Sequence, residues 1–197
     1  MRENLLELVD NKGRIKYDGF KEYLQFQDIR NFVEDSRHPY LVGKELYDGI
    51  LQESNYQNSE TIEFRVAELR NQLRGVESRD LTETARNKSS SISRAIFCLR
   101  KRHDTDGMAN EISIGRDVDN DIIIADYSIS KCHAKIIIKY NSYFIVDCHS
   151  TNLTYINDRE IQSGVNIELP VDGEIAFGRV VFRFMSPEQL YLLLRKK

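Results

Sequence analysis

Arg116, Ser130, Lys131, Thr151 and Asn152 are hydrogen-bonding residues set in three short polar clusters. The clusters are Gly115-Arg116, Ser128-Ile129-Ser130-Lys131-Cys132-His133-Ala134 and Ser150-Thr151-Asn152-Leu153-Thr154. Arg116 brings a planar fork of donors able to grip two acceptor oxygens at once, which a lysine cannot imitate. Ser130 brings a hydroxyl donor with little side-chain entropy to lose, and Lys131 a flexible positive charge beside it. Asn152 carries both an amide donor and a carbonyl acceptor, the pair that matches the C=O and N–H of a peptide backbone. Together these donors suit an anionic, acceptor-rich ligand. Taken singly, each residue has a plainer role: a solvated turn arginine, a turn-capping serine, a surface lysine, an asparagine that stabilises its own turn.

The repeated dipeptides Cys132-His133 and Cys148-His149 raise the question of zinc. Neighbours on a strand point to opposite faces, so each dipeptide offers one ligand to a shared metal, and two ligands fall short of the four of a structural site. Phosphate-binding P-loops, serine-nucleophile elbows, zinc-protease helices and dinucleotide fingerprints are missing from the sequence. The expectation is a protein that binds rather than catalyses, without metal or cofactor.

The elements that must hold these clusters are short strands. From Arg94 onward the runs AIFCL, EISIG, DIIIA, HAKIIIKY, YFIVDC, LTYI, REI, NIEL and EIAFGRVVFRFM alternate with turn signals such as Asn-Ser, Asn-Asp and Asp-Gly. Strands at this density predict a β-sandwich, with the three clusters in its loops, where a rigid scaffold positions binding residues. Ser186-Pro187-Glu188 places a cap, a first-position proline and an early acid ahead of Leu190, Leu193 and Leu194. That pattern predicts a terminal helix docked by its leucines.

The first half reads as helical. Phe20, Leu24, Ile29, Phe32 and Val33 are consistent with one broad helix face, which Pro39 ends; Val42, Leu46, Tyr47, Ile50 and Leu51 suggest another helix. Ile62, Val66, Leu69, Leu73 and Val76 step by fours and threes along a single seam, which is compatible with self-association through residues 62–76 or with packing inside the domain. Residues 82–93, TETARNKSSSIS, read as a linker, and Thr82 or Thr84, if phosphorylated, would reach the loops of the β half. The expected organisation is therefore α+β in segregated parts: a helical region 1–81, a linker 82–93, and a β-sandwich with its terminal helix at 94–197.

Composition narrows the function classes. The chain has 197 residues, 28 Lys plus Arg against 31 Asp plus Glu, a formal charge of −3 and 41% hydrophobic residues. That is enough apolar content for a core, and too balanced a charge for the basic footprint of a nucleic-acid binder. No run approaches the ~20 apolar residues that span a bilayer. Three cysteines are an odd, sparse set, expected as buried free thiols in a reducing, cytoplasmic setting.

Residues from about 94 to 185 resemble the forkhead-associated (FHA) domain, a phosphothreonine-reading β-sandwich. The resemblance rests on Gly115-Arg116, the Asn120-Asp121-Ile122 run, Ser130-Lys131-Cys132-His133-Ala134 and Ser150-Thr151-Asn152, in that order and strand context. It implies that Arg116 and Ser130 bind phosphate, that Lys131 flanks it, that Asn152 clamps the peptide backbone and that Thr151 makes a secondary contact. It also implies supporting roles for Gly115 and His133. The implied function is a phosphothreonine-dependent adaptor in Ser/Thr kinase signalling, whose partner is a phosphothreonine-containing protein. Leu153 departs from the family, which commonly has glycine after the asparagine. A glycine there takes a positive φ freely, whereas leucine must bear its steric cost or force another turn. If the turn changes, the domain becomes a phosphate-independent scaffold.

Overall fold

A computed structural model of the chain describes residues 5–46, 95–102, 107–140 and 142–195. The seam at 62–76, the linker 82–93 and both of its threonines lie outside the described residues. In chain order the elements are a 3-10 turn at Leu5–Leu8, helices α1 (Tyr17–Gln25) and α2 (Ile29–Ser36), and strands β1 (Tyr40–Leu46), β2 (Ile96–Cys98), β3 (Glu111–Gly115) and β4 (Ile122–Ile123). Strands β5 (Ala134–Lys139), β6 (Ser142–Asp147), β7 (Thr154–Ile156), β8 (Arg159–Glu160), β9 (Ile167–Glu168), β10 (Glu174–Phe177) and β11 (Val180–Met185) follow, and helix α3 (Pro187–Arg195) closes the chain.

The strands form two sheets, one in the order β2-β1-β11-β10-β7-β8 and the other β4-β3-β5-β6-β9. Pairing is antiparallel except for the short parallel contact of β3 with β4. Between the sheets lies a core that includes Leu41, Phe97, Ile114, Ile136, Ile145, Phe177 and Phe182. The β-sandwich expected from the strand-like runs is present, and the run EIAFGRVVFRFM is split at Gly178-Arg179 into β10 and β11.

The expected helix at 42–51 is corrected: its described part is strand. Val42 pairs with Arg183 of β11 and with Ile96 of β2, which places β1 between them. The sandwich thus takes one strand from ahead of residues 82–93, while α1 and α2 form the helical part near the N-terminus. The apolar run misleads because β1 is covered on both faces. Leu41 faces the intersheet core, while Tyr40 and Val42 face a second core under the helices. A strand buried on both sides loses the alternation that separates strand from helix in a short run.

That second core joins Phe20 and Leu24 of α1, Phe32 of α2, and Leu190 and Tyr191 of α3 to the outer face of β1, β2 and β11. The single broad helix face expected over 20–33 is two helices. Asp28, itself extended, ends the turn between them and caps α2, its carboxylate accepting from Asn31 N–H at 2.9 Å. Helix α3 begins with a reciprocal cap: Ser186 Oγ accepts from Gln189 N–H at 3.3 Å, and Gln189 Oε1 accepts from Ser186 N–H at 2.9 Å. It is anchored to the turn before α2, where the Tyr191 hydroxyl and Arg195 donate to the Gln27 carbonyl at 2.9 and 3.0 Å. The layers are therefore helices, sheet, sheet.

Register decides where the polar clusters go. Ile114 pairs with Ala134, and Ala134 with Asp147, so β3 and β6 both end where β5 begins. Arg116, the Ser130–His133 segment and the Cys148–Asn152 segment emerge together at that end.

Candidate functional site

The three clusters meet. Arg116 N–H donates to the Ser130 carbonyl at 3.0 Å, and Arg116 Nε donates to the Ile129 carbonyl at 3.0 Å. Across the next gap, Thr151 N–H donates to Ser130 Oγ at 3.0 Å. Ser130 Oγ lies 3.5 Å from Thr151 Oγ1. Its lone pair is therefore held by a firm bond, while its proton has only a long neighbour and can turn to a better acceptor. Asn152 Nδ2 donates to the Ser128 carbonyl at 2.9 Å, which fastens the third loop to the second. Lys131 and Thr151 stand exposed, Ser130 is half-buried, and Asn152 is buried.

Arg116 differs from the solvated loop arginine that its position in the sequence allows: it is 2% exposed. A charge so covered requires acceptors in place of water, and the Ile129 carbonyl supplies one.

Gly115 owes its identity to space. A Cβ there would stand 2.1 Å from the Lys131 carbonyl oxygen and 2.7 Å from Asn120 Nδ2. The Lys131 carbonyl is pulled against Gly115 by Asn120 Nδ2 at 2.7 Å and Asp117 N–H at 3.2 Å. Asn120 and Asp121 are buried supports: Asp121 accepts from Ser113 N–H at 2.8 Å and from Arg102 N–H at 2.8 Å.

His133 ties the second loop to the third. Its Nδ1 accepts from Ser130 N–H at 3.1 Å, which leaves the ring proton on Nε2, and that proton is directed to the Leu153 carbonyl at 3.2 Å. The ring is fully buried and packs edge-on against Phe177 at 5.6 Å between centroids. Burial lowers its pKa to about 4, against weaker upward pulls from the Leu153 carbonyl and Asp147. The imidazole is thus neutral at pH 7.

Leu153 keeps the turn that a glycine would make. Its φ is +59°, in the left-handed region, and its carbonyl is held by Gly178 N–H at 3.1 Å as well as by His133. The side chain packs against Tyr155, Ala176 and Val181. The steric cost is borne, and the turn does not change.

Two supports carried no sequence signal. Asp147 accepts from Ser150 Oγ and Ser163 Oγ at 2.6 Å each, from Thr154 Oγ1 at 2.7 Å and from Ser150 N–H at 3.1 Å. Burial alone would raise its pKa, but the bonds from Ser150, Ser163 and Thr154 outweigh it and hold the carboxyl below its usual range. Arg179 and Asp126 form a fully buried ion pair at 2.7 Å, with the Arg179 guanidinium 4.1 Å from the Tyr127 ring centre. Ser128 joins them, its hydroxyl donating to Asp126 Oδ1 at 2.7 Å. The carbonyl that Asn152 grips therefore belongs to a residue anchored from below. Acid and base lie 53 residues apart in sequence, so only folding reveals the pair.

The cysteine expectation is corrected in part. All three are free, but only Cys98 is buried; Cys132 is exposed and Cys148 half-buried. No cluster of three or more potential metal-binding Cys, His, Asp or Glu side chains occurs among the described residues, and none of their helices is long and apolar enough to cross a membrane.

Comparison with known proteins gives this end of the sandwich a family. Residues 112–178 match the family model of the FHA domain. Among curated proteins, the glycogen accumulation regulator GarA of Mycobacterium tuberculosis and an uncharacterized protein of Mycobacterium bovis are each 33% identical over 78 residues. The match covers 39% of this chain and 46% of theirs, so the chain spans about half the length of these relatives. Among solved structures, the FHA domain of CT664 protein from Chlamydia trachomatis is 32% identical over 46% of this chain and 84% of its own, with a TM-score of 0.38. Mycobacterium tuberculosis EmbR, solved with a low-affinity phosphopeptide, is 29% identical over 40% of this chain and 20% of its own, with a TM-score of 0.37. Residues 112–178, in the C-terminal part of this chain, form an FHA domain.

Proposed function

We propose that the chain is an adaptor that binds phosphothreonine-bearing proteins in Ser/Thr kinase signalling, through the end of the sandwich where Arg116, Ser130, Lys131, Thr151 and Asn152 converge. The observation that carries this reading is the arrangement around Ser130: its hydroxyl accepts from Thr151 N–H, its carbonyl accepts from Arg116 N–H, and its own N–H is held by His133. The hydroxyl proton is thereby presented from a fixed frame, as binding of a phosphate with three strong acceptor oxygens requires. Lys131 adds a mobile positive charge at the rim. Asn152 takes the peptide backbone beside the phosphothreonine, which requires its covered side chain, now donating to the Ser128 carbonyl at 2.9 Å, to turn outward. The left-handed Leu153 supports the reading, because the loop that presents Asn152 keeps the path a glycine would give it.

A phosphate-independent scaffold is the second reading, and the coverage of Arg116 favours it. Contact with phosphate requires the outer edge of that guanidinium to come clear of its surroundings. Binding of the full chain to a phosphothreonine peptide library, compared with the unphosphorylated library and with Arg116→Ala, separates the two. The adaptor reading expects phosphate-dependent binding that falls at least tenfold in Arg116→Ala, the loss of a charge-assisted contact of ~1.5–3 kcal/mol. Equal capture of both libraries establishes the scaffold.

A further inference from the structure

Cys132 and Cys148 come from the second and third clusters, 16 positions apart in the sequence. Cys148 N–H donates to the His133 carbonyl at 2.9 Å, so the residue bearing one thiol is bonded to the residue next to the other. Cys148 Sγ lies 4.0 Å from the Val146 carbonyl, and its thiol is also near enough to Cys132 to act on it as a donor. Cys132 is open to solvent and Cys148 partly so. Lys135, partly engaged by Glu111 at 3.2 Å, is near enough to act on both sulfurs by its charge. We propose that Cys132 and Cys148 are an oxidisable dithiol, in which peroxide attacks Cys132 and Cys148 resolves the product as a disulfide.

The chemistry balances in two steps. The Cys132 thiolate sulfur attacks one peroxide oxygen and the O–O bond breaks; hydroxide leaves, takes up the thiol's displaced proton as water, and Cys132 becomes a sulfenic acid. The Cys148 sulfur then attacks the sulfenic sulfur. An S–S bond forms, the S–O bond breaks, and the departing hydroxide carries off the Cys148 proton as a second water. Two thiols are oxidised by two electrons and one peroxide is reduced. The hydrogen bond from Cys148, followed by the attraction of Lys135, outweighs burial and the Asp147 charge and lowers the Cys132 thiol to about 6, so it is largely thiolate at neutral pH. The same bond raises the Cys148 thiol, which stays protonated until its partner is oxidised. The product joins the Ser130–His133 loop to the Cys148–Asn152 loop. This inference stands on the thiols alone and does not depend on phosphopeptide binding.

The test uses the full chain, equimolar hydrogen peroxide at pH 7, acid quenching, alkylation after denaturation, and peptide mapping. The expected map joins the Cys132 and Cys148 peptides by a bond that dithiothreitol cleaves. Cys98, buried and with its thiol pushed up to about 12, is recovered as the alkylated thiol. In Cys148→Ser the sulfenic acid persists and is captured on Cys132 by dimedone; in Cys132→Ser, Cys148 remains a thiol. Without peroxide, iodoacetamide labels Cys132 at least ~10-fold faster than Cys148, since only one of the two is thiolate. Equal labelling rates, dimedone capture on wild-type Cys132 with Cys148 still alkylatable, or a bridge that includes Cys98 would each overturn the proposal.

Discussion

Replacing Leu153 by glycine and, separately, by alanine measures a backbone position where the FHA pattern commonly has glycine. A non-glycine residue in the left-handed region bears a steric cost of ~1–2 kcal/mol, which alanine shares with leucine and glycine escapes. Glycine gives back ~0.4–1 kcal/mol through the greater freedom of its unfolded chain. Both variants lose the contacts of the half-buried leucine with Tyr155, Ala176 and Val181, about 1 kcal/mol as part of the ~1.5–3 kcal/mol of a full burial. The packing loss is common to the pair and cancels between them. Leu153→Gly is therefore expected to be about 0.5–1 kcal/mol more stable than Leu153→Ala, and within about 1 kcal/mol of the parent. At an ordinary strand or loop position the order is the reverse, because glycine is the less stable of the two. Urea unfolding of the three proteins at one pH, fitted with a common m-value, reads the difference directly. An alanine variant as stable as the glycine variant, or more so, refutes the left-handed turn and the account of how Asn152 is presented.

Two further outcomes follow from the supports beneath the site. His133 is lowered to about 4 in the folded chain from 6.5 in the unfolded one, so the unfolded state binds the extra proton between those values. Stability is full above pH 6.5 and falls by up to ~3 kcal/mol as pH drops to 4, then levels off with respect to this group. Urea unfolding across that window should show this slope reduced in His133→Gln, and an imidazole seen by NMR to titrate near 6.5 would refute the neutral brace. Arg179→Met leaves Asp126 as a buried charge without its guanidinium and should cost ~3–5 kcal/mol. The paired change Asp126→Leu with Arg179→Met should recover part of it, and thermal unfolding of the two variants beside the parent would show any failure to do so.

Much of the architecture was legible because short-range rules govern it. The strands from Ile96 to Met185 show in their β-branched and aromatic runs between turn residues, and α3 in the serine, proline and glutamate at its start. Arg116, Ser130 and Asn152 were recognisable as candidates because their neighbours belong to a familiar order. Strand β1 was not legible: its periodicity disappears when both faces are buried, and which elements cover them is a long-range fact. The split between α1 and α2 was hidden as well, since Asp28 reads as a cap only once the chain is seen to turn ahead of it.

The amino-acid sequence by itself determined the sandwich, the loops that bear the polar clusters, and the presence of a leucine where a glycine is usual. Its warrant was local, in propensity, turn chemistry and the order of motifs. Tertiary structure alone decided that Leu153 stays left-handed, that Asp126 and Arg179 meet beneath Ser128, that Arg116 is covered, and that Cys148 is bonded to the neighbour of Cys132. Each is a contact between residues distant in the chain, whose meeting depends on strand register and on the packing of one loop against another. Spacing along the sequence holds no record of either.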